Sequence, residues 1–253
     1  MIEIRTRLFT QKIYATSIAK GDWYKPVIYH SYLGDIHKIP FYFYKNLESH
    51  SCMTDLTKPM DEILASMQKS LRQEIRKGER IGCVFEWGYF YDEFVEFYNS
   101  FAKGKGIDTR VSVDRIKRFG QPIVTKVSYE GRVMAMHVRA IDKTSKFACA
   151  LYTSNARFTD GVDKRIASTA NKYLQYKDLE LIKSWGIEKY DWAGVDINKN
   201  HSNRYSIGEY KLAYGGYIVP SPTLYSPLYA VMMLIRTIIV KLNLYNFYFK
   251  VFK

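Results

Sequence analysis

The sequence predicts a mixed α+β (α/β) fold, in which helices cover both faces of a largely antiparallel sheet. Strand-like segments follow one another closely at Pro122–Tyr129, Arg132–Ile141 and Phe147–Thr153, and the links between them are turn-like, which indicates an antiparallel meander. A long helical pattern and a further strand follow the meander, and a helix-rich portion precedes it. The apolar share of 47% and the charged share of 25% are typical of an ordinary globular protein.

The N-terminal part of the chain begins with strands and continues with helices. Residues 27–33 and 38–45 are rich in β-branched and aromatic residues and are separated by a short Gly-Asp link, so we expect them to pair. From Pro59 to Arg80, apolar residues recur with helical periodicity, which predicts a single helix that Gly82 ends. The next predicted elements are a strand at Val84–Trp87 and a helix at Tyr91–Lys103.

The C-terminal part is predicted to contain a long helix, a short strand and an apolar tail. The helix covers about Lys164–Ser184, and the strand covers Lys189–Trp192. A polar loop over Asp196–Ser206 leads to the segment GEYKLAYGGYIV. We therefore expect one domain over residues 1–223, with N-terminal strands in residues 1–52, and an amphipathic helical tail over residues 224–253.

The charge balance indicates an anionic partner. The 253 residues include 38 Lys and Arg against 25 Asp and Glu, so the formal net charge is +13. Such an excess favours nucleic acid, a phosphorylated ligand or an anionic membrane, although many of these lysines could equally be solvated surface. The three cysteines and five histidines have no disulfide or metal spacing, so no metal site is expected. The N-terminus lacks an apolar segment of signal-peptide length, which predicts a cytoplasmic protein.

Four motifs occur in order between Met53 and Gly216. The segment MTDLTKPMDEILASMQKSLRQEIRKGERIG is followed by FVEFYNSFAKGKGI, then by a long helix leading to KYDWAGV, and finally by IGEYKLAYGG. Together they resemble the Fem-type peptidoglycan-bridge aminoacyltransferases of the GNAT-like acyltransferase superfamily. The resemblance implies a GNAT-like fold and the transfer of an acyl or aminoacyl group to an amine. It also implies direct attack of the amine on the donor ester or thioester, without a covalent enzyme intermediate.

The sequence departs from the Fem-type pattern at three points. Fem-type proteins usually carry two GNAT-like halves, whereas one complete half fits here, so residues 1–52 could be a remnant of the other half and a homodimer partner could supply what is missing. The Gly-Gly of the family after Tyr-Asp is Ala193-Gly194 here. The Gly-rich turn of acetyl-CoA-dependent members corresponds to the stretch from Arg157 to Gly161, which matches poorly but could still hold a phosphate on backbone N–H groups at a helix N-terminus.

The resemblance assigns roles to a Tyr-Lys pair. Lys211 matches the family lysine that neutralises charge developing on the acyl carbonyl, and Tyr210 would pack against the terminal base of the donor. The alternative for this pair is the start of a helix with a solvated lysine. Asp191 and the adjacent Trp192 are predicted at a strand end that opens toward a cleft, where Asp191 could accept or orient the proton of the amine. The alternative for Asp191 is to bind the amides of the neighbouring loop.

Cations on the first long helix form a predicted phosphate site. Lys69, Arg72, Arg76 and Arg80 lie within about 80° of one another, opposite the apolar stripe. Arg72 and Arg76 are one turn apart and could grip one diphosphate with their planar guanidinium groups. A solvated helix face would carry similar charges, so both interpretations stay open.

These features lead to an acyltransferase hypothesis with defined partners. We expect no tightly bound cofactor, an acyl donor that is acyl-CoA or aminoacyl-tRNA, and a nucleotide- or lipid-linked amino sugar or peptide as acceptor. No Asp or Glu follows Glu209, and the apolar run Leu228–Val240 is too short to span a bilayer.

The tail beyond that run alternates aromatic residues with Lys250 and Lys253, which favours an anionic membrane surface at the inner face of the cell membrane over packing on the domain or a dimer contact. Two rival functions remain at this point. One is a basic RNA-binding module, and the other is a membrane-peripheral scaffold in glycan assembly.

Overall fold

The computed structural model of the chain describes residues 1–198 and 202–241. These residues form two compact units. The terminal unit combines residues 1–50 with the chain from Pro220 onward, and the central unit covers Ser51–Val219. Strands from both ends of the chain share one sheet, so the unit boundaries lie at residues 50 and 220 rather than at residue 223.

The described residues form strands and helices in the following order. The strands are β1 (Ile2–Arg5), β2 (Thr10–Ile13), β3 (Val27–His30), β4 (Tyr44–Asn46), β5 (His50–Asp55), β6 (Val84–Gly88), β7 (Ile123–Tyr129), β8 (Arg132–Asp142), β9 (Phe147–Asn155), β10 (Lys189–Val195), β11 (Tyr217–Pro220) and β12 (Thr223–Tyr225). The helices are α1 (Met60–Ser66), α2 (Lys69–Arg80), α3 (Tyr91–Lys105), α4 (Val113–Lys117), α5 (Lys164–Ser184), α6 (Ser202–Leu212) and α7 (Pro227–Lys241).

The terminal unit contains one sheet with the strand order β1-β2-β3-β12-β4. β2 and β3 are parallel, and the other pairs are antiparallel. β12 places Leu224 opposite Tyr29 of β3 on one side and opposite Lys45 of β4 on the other. Leu224 is fully buried in a cluster with Tyr32 and Phe43, so β12 also supplies the centre of this core.

The predicted pairing of residues 27–33 with residues 38–45 is therefore wrong. β3 and β4 lie in one sheet, but the segment Ile36–Lys38 between them forms a 3-10 turn. The Asp35 carboxylate stabilises this turn by accepting a hydrogen bond from the His37 N–H at 2.9 Å. β12 fills the gap between the two strands, and a partner so distant in the sequence cannot be identified from local strand patterns.

The central unit contains a sheet with the strand order β11-β5-β10-β9-β8-β7-β6. β6 to β9 are antiparallel and include the predicted meander, whereas β9 and β10 are parallel. Met136 and Val138 of β8 pack in a cluster with α3, while Ala135 packs in a cluster with α5. Helices thus lie on both faces of a largely antiparallel sheet, which confirms the predicted fold class.

The prediction of one helix from Pro59 to Arg80 is wrong in one respect. This segment forms two helices, α1 and α2. The extended residue Met67 separates the two helices, although neither Gly nor Pro marks this point. The N–H of the next residue donates to the carbonyl oxygen of Ala213 at 2.9 Å. The Arg72 guanidinium donates to the carbonyl oxygens of Ala65 at 2.6 Å and of Met67 at 2.7 Å. Contacts from distant residues and a side-chain cap therefore end α1.

The C-terminal helices differ in part from the expectation. α6 begins at Ser202, within the predicted polar loop, and residues 199–201 lie outside the described residues. α7 provides the predicted helical tail as far as Lys241. The aromatic residues and lysines predicted to contact a membrane beyond that point lie outside the described residues. Within residues 1–198 and 202–241, no helix combines the length and the apolar character needed to cross a membrane.

Candidate functional site

β9 and β10 form a fork that opens a cavity in the central unit. Their parallel pairing runs from Lys189 with Phe147 to Asp191 with Cys149. Beyond this register, β9, β10, α5 and α6 line a cavity of about 370 Å³, which we call the fork cavity. Its polar and aromatic lining includes Thr153, Asn171, Gln175, Trp192, Tyr210 and Lys211. A concave site with a few converging polar groups is typical of ligand binding.

Lys211 lies in the last turn of α6 and reaches the turn at the end of β10. Its Nζ donates hydrogen bonds to the carbonyl oxygens of Ala193 at 3.0 Å and of Gly194 at 2.6 Å. An ammonium group has three N–H donors, so one remains for a ligand in the fork cavity. Burial lowers the pKa of Lys211 from its usual 10.5, and Asp191 and Cys52 oppose this shift. Lys211 is therefore a partly desolvated amine, and its hydrogen bonds to two main-chain carbonyl oxygens fix the orientation of its Nζ group.

The turn that receives Lys211 has an uncommon backbone conformation. Ala193 has a φ of 66°, a left-handed conformation that costs a non-glycine residue about 1–2 kcal/mol. Asp191 stabilises this turn, because its Oδ1 accepts hydrogen bonds from the Ala193 N–H at 2.7 Å and from the Ser51 hydroxyl. Asp191 is only 2% exposed and lies outside the lining of the fork cavity. These contacts match the alternative in which Asp191 binds loop amides, and its role as proton acceptor stays a prediction.

Tyr210 and Trp192 form an aromatic wall of the fork cavity. The Tyr210 hydroxyl accepts a hydrogen bond from Asn171 Nδ2 at 3.1 Å and lies 2.9 Å from the hydroxyl of the buried Tyr214. The Tyr214 ring centroid lies 4.7 Å from that of Trp192, whose indole N–H donates to Thr54 at 2.9 Å. Burial raises the pKa of Tyr210, so its phenol is protonated at neutral pH. The wall is therefore fixed in position by contacts behind it.

A buried ion pair supports the same wall. Arg139 Nε donates to Asp178 Oδ2 at 2.9 Å, and both side chains are fully buried. Arg139 Nη2 donates to Gln175 at 2.7 Å, while His137 lies 2.7 Å from Asp178 and 3.1 Å from Asn171. Burial and the nearby Arg139 lower the pKa of His137, so its imidazole is neutral at neutral pH. Because Gln175 and Asn171 line the fork cavity, this network positions part of the cavity surface.

A second cavity, of about 510 Å³, shares lining residues with the fork cavity at the N-terminal part of α5. The shared residues are Arg157, Ser168 and Lys172. The cations that line the second cavity are Lys77, Arg157, Lys164, Arg165 and Lys172, and its lining carboxylate is Glu74. We call it the basic cavity. Because cationic side chains outnumber carboxylates in this lining, the cavity suits a ligand with several phosphate groups.

The N-terminus of α5 differs from the expected phosphate site. The Asp163 carboxylate caps this helix, because its Oδ1 accepts hydrogen bonds from the N–H groups of Arg165 at 2.7 Å and of Ile166 at 3.4 Å. The carbonyl oxygen of Gly161 accepts a hydrogen bond from Arg132 at 3.2 Å. A carboxylate of the chain itself therefore occupies the backbone donors that the sequence analysis assigned to a phosphate. Arg157, in contrast, lines both cavities.

The predicted Arg72–Arg76 pair lies outside the cavity that the other candidate site residues line. Neither arginine lines the fork cavity or the basic cavity. Arg72 uses its guanidinium to cap α1, and Arg76 is exposed on the surface of α2. Their neighbour Lys77 lines the basic cavity instead. The predicted site residues that the structure brings together are Lys211, Tyr210, Trp192 and Arg157.

The polar residues that α5 contributes to the site were not predicted from the sequence. Asn171, Gln175 and Asp178 are buried residues of α5, spaced at one turn and at two turns along the helix. The other buried residues on this side of the helix are mostly apolar, and Ala170 and Leu174 are examples. Polar residues at such spacing on a buried helix face indicate a partner or a ligand, and this signal could have identified the cavity wall.

No protein-family profile matches this chain, and no curated protein sequence matches it. Solved structures do match. FemX superposes with a TM-score of 0.66 at 11% identity, covering 90% of this chain and 85% of FemX. L-PGS from Bacillus licheniformis superposes with a TM-score of 0.58 at 11% identity, covering 92% of this chain and 83% of L-PGS.

A further match is the C-terminal domain of a candidate lysylphosphatidylglycerol synthetase from Agrobacterium fabrum. It superposes with a TM-score of 0.54 at 14% identity, covering 85% of this chain and 73% of that domain. Identities this low establish a shared fold, and they do not transfer a substrate or a partner. The resemblance seen in the sequence is therefore confirmed at the level of the fold: this chain has the fold that FemX and L-PGS share.

Proposed function

We propose that this protein is an N-acyltransferase, and that it moves an aminoacyl group from a tRNA donor to an amine of a phosphorylated cell-envelope precursor. The observation that carries the proposal is the position of Lys211, a partly desolvated amine at the fork of β9 and β10 with one donor left for a ligand. The shared fold with FemX and L-PGS supports the same class of reaction. The name of the Agrobacterium fabrum match describes a lysyl group attached to a phospholipid headgroup, which supports an envelope acceptor.

The proposed reaction uses the groups found at the fork. The neutral amine of the acceptor attacks the carbonyl carbon of the donor ester, a C–N bond forms, and the C–O bond to the ribose breaks. The proton that the amine loses ends on the leaving oxygen. Negative charge develops on the carbonyl oxygen during the attack, and the Lys211 ammonium group stabilises that charge. Asp191 acts as a positioning residue, because it holds the turn whose carbonyls direct Lys211.

Direct attack by the amine is also supported by the state of the cysteines. Cys52, Cys83 and Cys149 are all buried. Burial raises the pKa of the Cys52 thiol, the one beside Lys211, to about 12. A thiolate is the nucleophilic form of cysteine, so these thiols are poorly suited to form an acyl-enzyme intermediate.

One observation favours a tRNA donor over acyl-CoA. The Asp163 carboxylate occupies the N–H groups at the start of α5 that would otherwise bind a pyrophosphate. The basic cavity places five cationic side chains beside the fork cavity, and these suit the phosphate groups of either donor. Acyl-CoA is the alternative donor, and direct binding measurements separate the two.

The substitution Lys211→Met tests the assignment of this lysine. It keeps most of the length and the unbranched apolar stem of the side chain and removes the charge. We expect kcat to fall about 10²- to 10³-fold with little change in KM, as for the loss of a group that stabilises a developing oxyanion. The measurement is the steady-state rate of aminoacyl transfer from charged tRNA to an amine acceptor.

The matched control for that experiment is Lys69→Met, which removes an exposed cation of α2 that lines neither cavity. This variant should keep the wild-type rate. If Lys211→Met also turns over at the wild-type rate, Lys211 does not stabilise the transition state and the proposed mechanism is lost.

A peripheral position at an anionic membrane is the proposed location. The apolar residues exposed along α7 are Leu228, Val231, Leu234, Ile235 and Ile238. No acidic residue follows Glu209 in the sequence, so every charged side chain along α7 and after it is a cation. An apolar helix face combined with positive charge suits the headgroup region of acidic lipids.

Vesicle sedimentation tests this location. We expect the full chain to sediment with phosphatidylglycerol vesicles and much less with phosphatidylcholine vesicles, because the charge and the apolar face act together. Leu234→Asp places a charge at a side chain that is 61% exposed and should release the protein, whereas Gln73→Asp, at an exposed site on α2, should not. Equal binding to both vesicles, or no binding to either, contradicts the proposed location.

A further inference from the structure

The terminal unit contains a cavity of about 620 Å³ that has no part in the proposed acyl transfer. It lies between the segment Thr16–Trp23 and the segment Tyr32–Phe43, so all of its lining comes from the first 50 residues. Both segments are connections between strands rather than strands themselves. Binding sites are often built from such loops on a rigid sheet.

Aromatic rings dominate the walls of this cavity. Tyr32 and Phe43 are buried and belong to the core beneath it. Trp23 and Tyr42 also line it, yet 55% and 46% of their surfaces are exposed. Core packing does not account for two large rings left open at one cavity, and exposed rings in such a setting indicate a ligand surface.

Polar and charged side chains line the same cavity. Ser17 offers a hydroxyl group, and Lys20 and Lys38 offer ammonium groups. Asp35 adds a carboxylate, which accepts a hydrogen bond from the His37 N–H and lies 3.9 Å from the Lys38 ammonium group. Hydrogen-bond donors and acceptors are therefore interspersed with the rings, and cations outnumber the carboxylate.

A buried ion pair holds one wall of this cavity in place. Lys12 Nζ lies 2.5 Å from Asp22 Oδ2, and both side chains are nearly inaccessible to solvent. The Tyr29 hydroxyl donates to Asp22 and accepts a hydrogen bond from the Ala19 N–H at 3.0 Å. These bonds join the lining segment at Ala19 to the side chains of Asp22, Tyr29 and Lys12. The wall is preorganised before any ligand arrives.

We propose that this cavity binds a pyranose ring of a glycan. A pyranose has an apolar C–H face that can stack on the open ring of Trp23 or Tyr42, and its hydroxyl groups can bond to Asp35 and Ser17. The two lysines suit a carboxylate or phosphate substituent on the sugar. This inference goes beyond the proposed transferase function, because it assigns a ligand to residues outside the fork cavity and needs no acyl donor.

Ligand-observed NMR on the full chain tests this site. The probes are the N-acetylglucosamine trimer, the galacturonic acid trimer, and adenosine monophosphate as an aromatic anion without a free pyranose. We expect one or both trimers to bind, with the acidic trimer tighter if the lysines take part. Trp23→Ala and Tyr42→Ala should each weaken trimer binding about tenfold or more, as expected for removal of an aromatic anchor.

Tyr44→Ala is the matched control, because Tyr44 of β4 is 64% exposed and does not line the cavity. It should leave trimer binding unchanged, and so should Lys211→Met, which keeps this test independent of the transferase proposal. The inference is overturned if neither trimer binds, if adenosine monophosphate binds and the trimers do not, or if Tyr44→Ala weakens binding as much as Trp23→Ala.

Discussion

The surroundings of Lys211 determine how this side chain can act in the reaction. Two carbonyl oxygens accept hydrogen bonds from its Nζ, and the Asp191 carboxylate behind the turn favours the charged form. Burial acts in the opposite direction and is the stronger effect, so the pKa of Lys211 is lower than the usual 10.5. A lysine in this setting gives up its solvation before the substrate arrives, which strengthens its interaction with a developing negative charge.

The lowered pKa of Lys211 predicts how reaction rate and stability depend on pH. The native chain releases this proton at a lower pH than the unfolded chain, so between the lowered pKa and 10.5 the unfolded state binds more protons. The contribution of Lys211 to folding stability should therefore increase as pH rises through this window. The value of kcat should decrease over the same window, because the cation is lost.

Competitive acetylation of lysines, read by mass spectrometry, measures this pKa directly. The midpoint for Lys211 in the native protein should lie below its midpoint in the urea-unfolded chain, which serves as the control. If the two midpoints coincide, burial does not perturb Lys211 and the alkaline loss of activity must have another origin.

The turn beside Lys211 shows what could and could not be predicted from the sequence at this scale. The motif YDWAGV and the Tyr-Lys pair singled out Trp192, Tyr210 and Lys211, and the structure places all three in the lining of the fork cavity. The left-handed φ of Ala193 gives a physical reason for the glycine that the Fem-type pattern has at this point. The position of Asp191 behind this turn could not be predicted from the sequence, because its hydrogen-bond partner Ser51 is remote in the chain.

α2 and α5 pack in close contact beside the basic cavity. Gly78 of α2 lies directly against Tyr173 of α5, and a Cβ atom at Gly78 would meet the Tyr173 Cβ at 2.6 Å. The same interface holds Glu74 against Thr169, with a hydrogen bond of 2.6 Å. Because α2 and α5 each contribute residues to the basic cavity, the absence of a side chain at Gly78 sets the spacing of that cavity.

The substitution Gly78→Ala should therefore destabilise the protein. Alanine gains about 1 kcal/mol of helix propensity over glycine, but forcing a methyl group into this contact costs about 1–3 kcal/mol and moves backbone against backbone. We expect a net loss in the free energy of unfolding, measured by urea denaturation. Gly208→Ala in α6 is the control, because the atoms nearest to its added methyl group lie at 3.5 Å or more. That variant should be neutral or slightly stabilised, and equal effects at both sites would contradict the close contact.

Local sequence patterns predicted most elements, and they failed where a distant residue decides the outcome. The meander and α5 follow from strand and helix periodicity, and the structure contains both. The break at Met67 depends on Ala213 and on the capping guanidinium of Arg72, so apolar periodicity continues through it without a signal. The pairing of β3 with β12 likewise depends on a strand from the other end of the chain.

The distribution of charge is the main functional feature of the whole molecule. The net charge of +13 indicated an anionic partner, but it could not locate the binding surface. The structure gathers cations from α2, from the 3-10 turn that follows β9 and from α5 into one cavity beside the fork. Donor binding should therefore depend on salt through these residues and not through the arginines of α2 that the sequence indicated.

Binding of uncharged tRNA at several salt concentrations tests this expectation. We expect affinity to fall steeply with salt, and Lys172→Met should reduce the slope of log K against log salt by about 0.7 to 0.9 for the phosphate it no longer neutralises. Lys69→Met, which lines neither cavity, should leave the slope unchanged. Tight binding of acetyl-CoA without binding of tRNA would instead identify the donor as acyl-CoA.

The placement of β12 also has a consequence for the order in which the protein can be made. Thr223–Tyr225 complete the sheet between β3 and β4, yet the ribosome synthesises them after the whole central unit. While Ser51–Val219 is translated, which takes on the order of ten seconds or more, β3 and β4 each present an unpaired edge. Such edges readily associate with other chains. Nascent copies of this protein should therefore depend on chaperone binding at their first 50 residues until translation passes Tyr225.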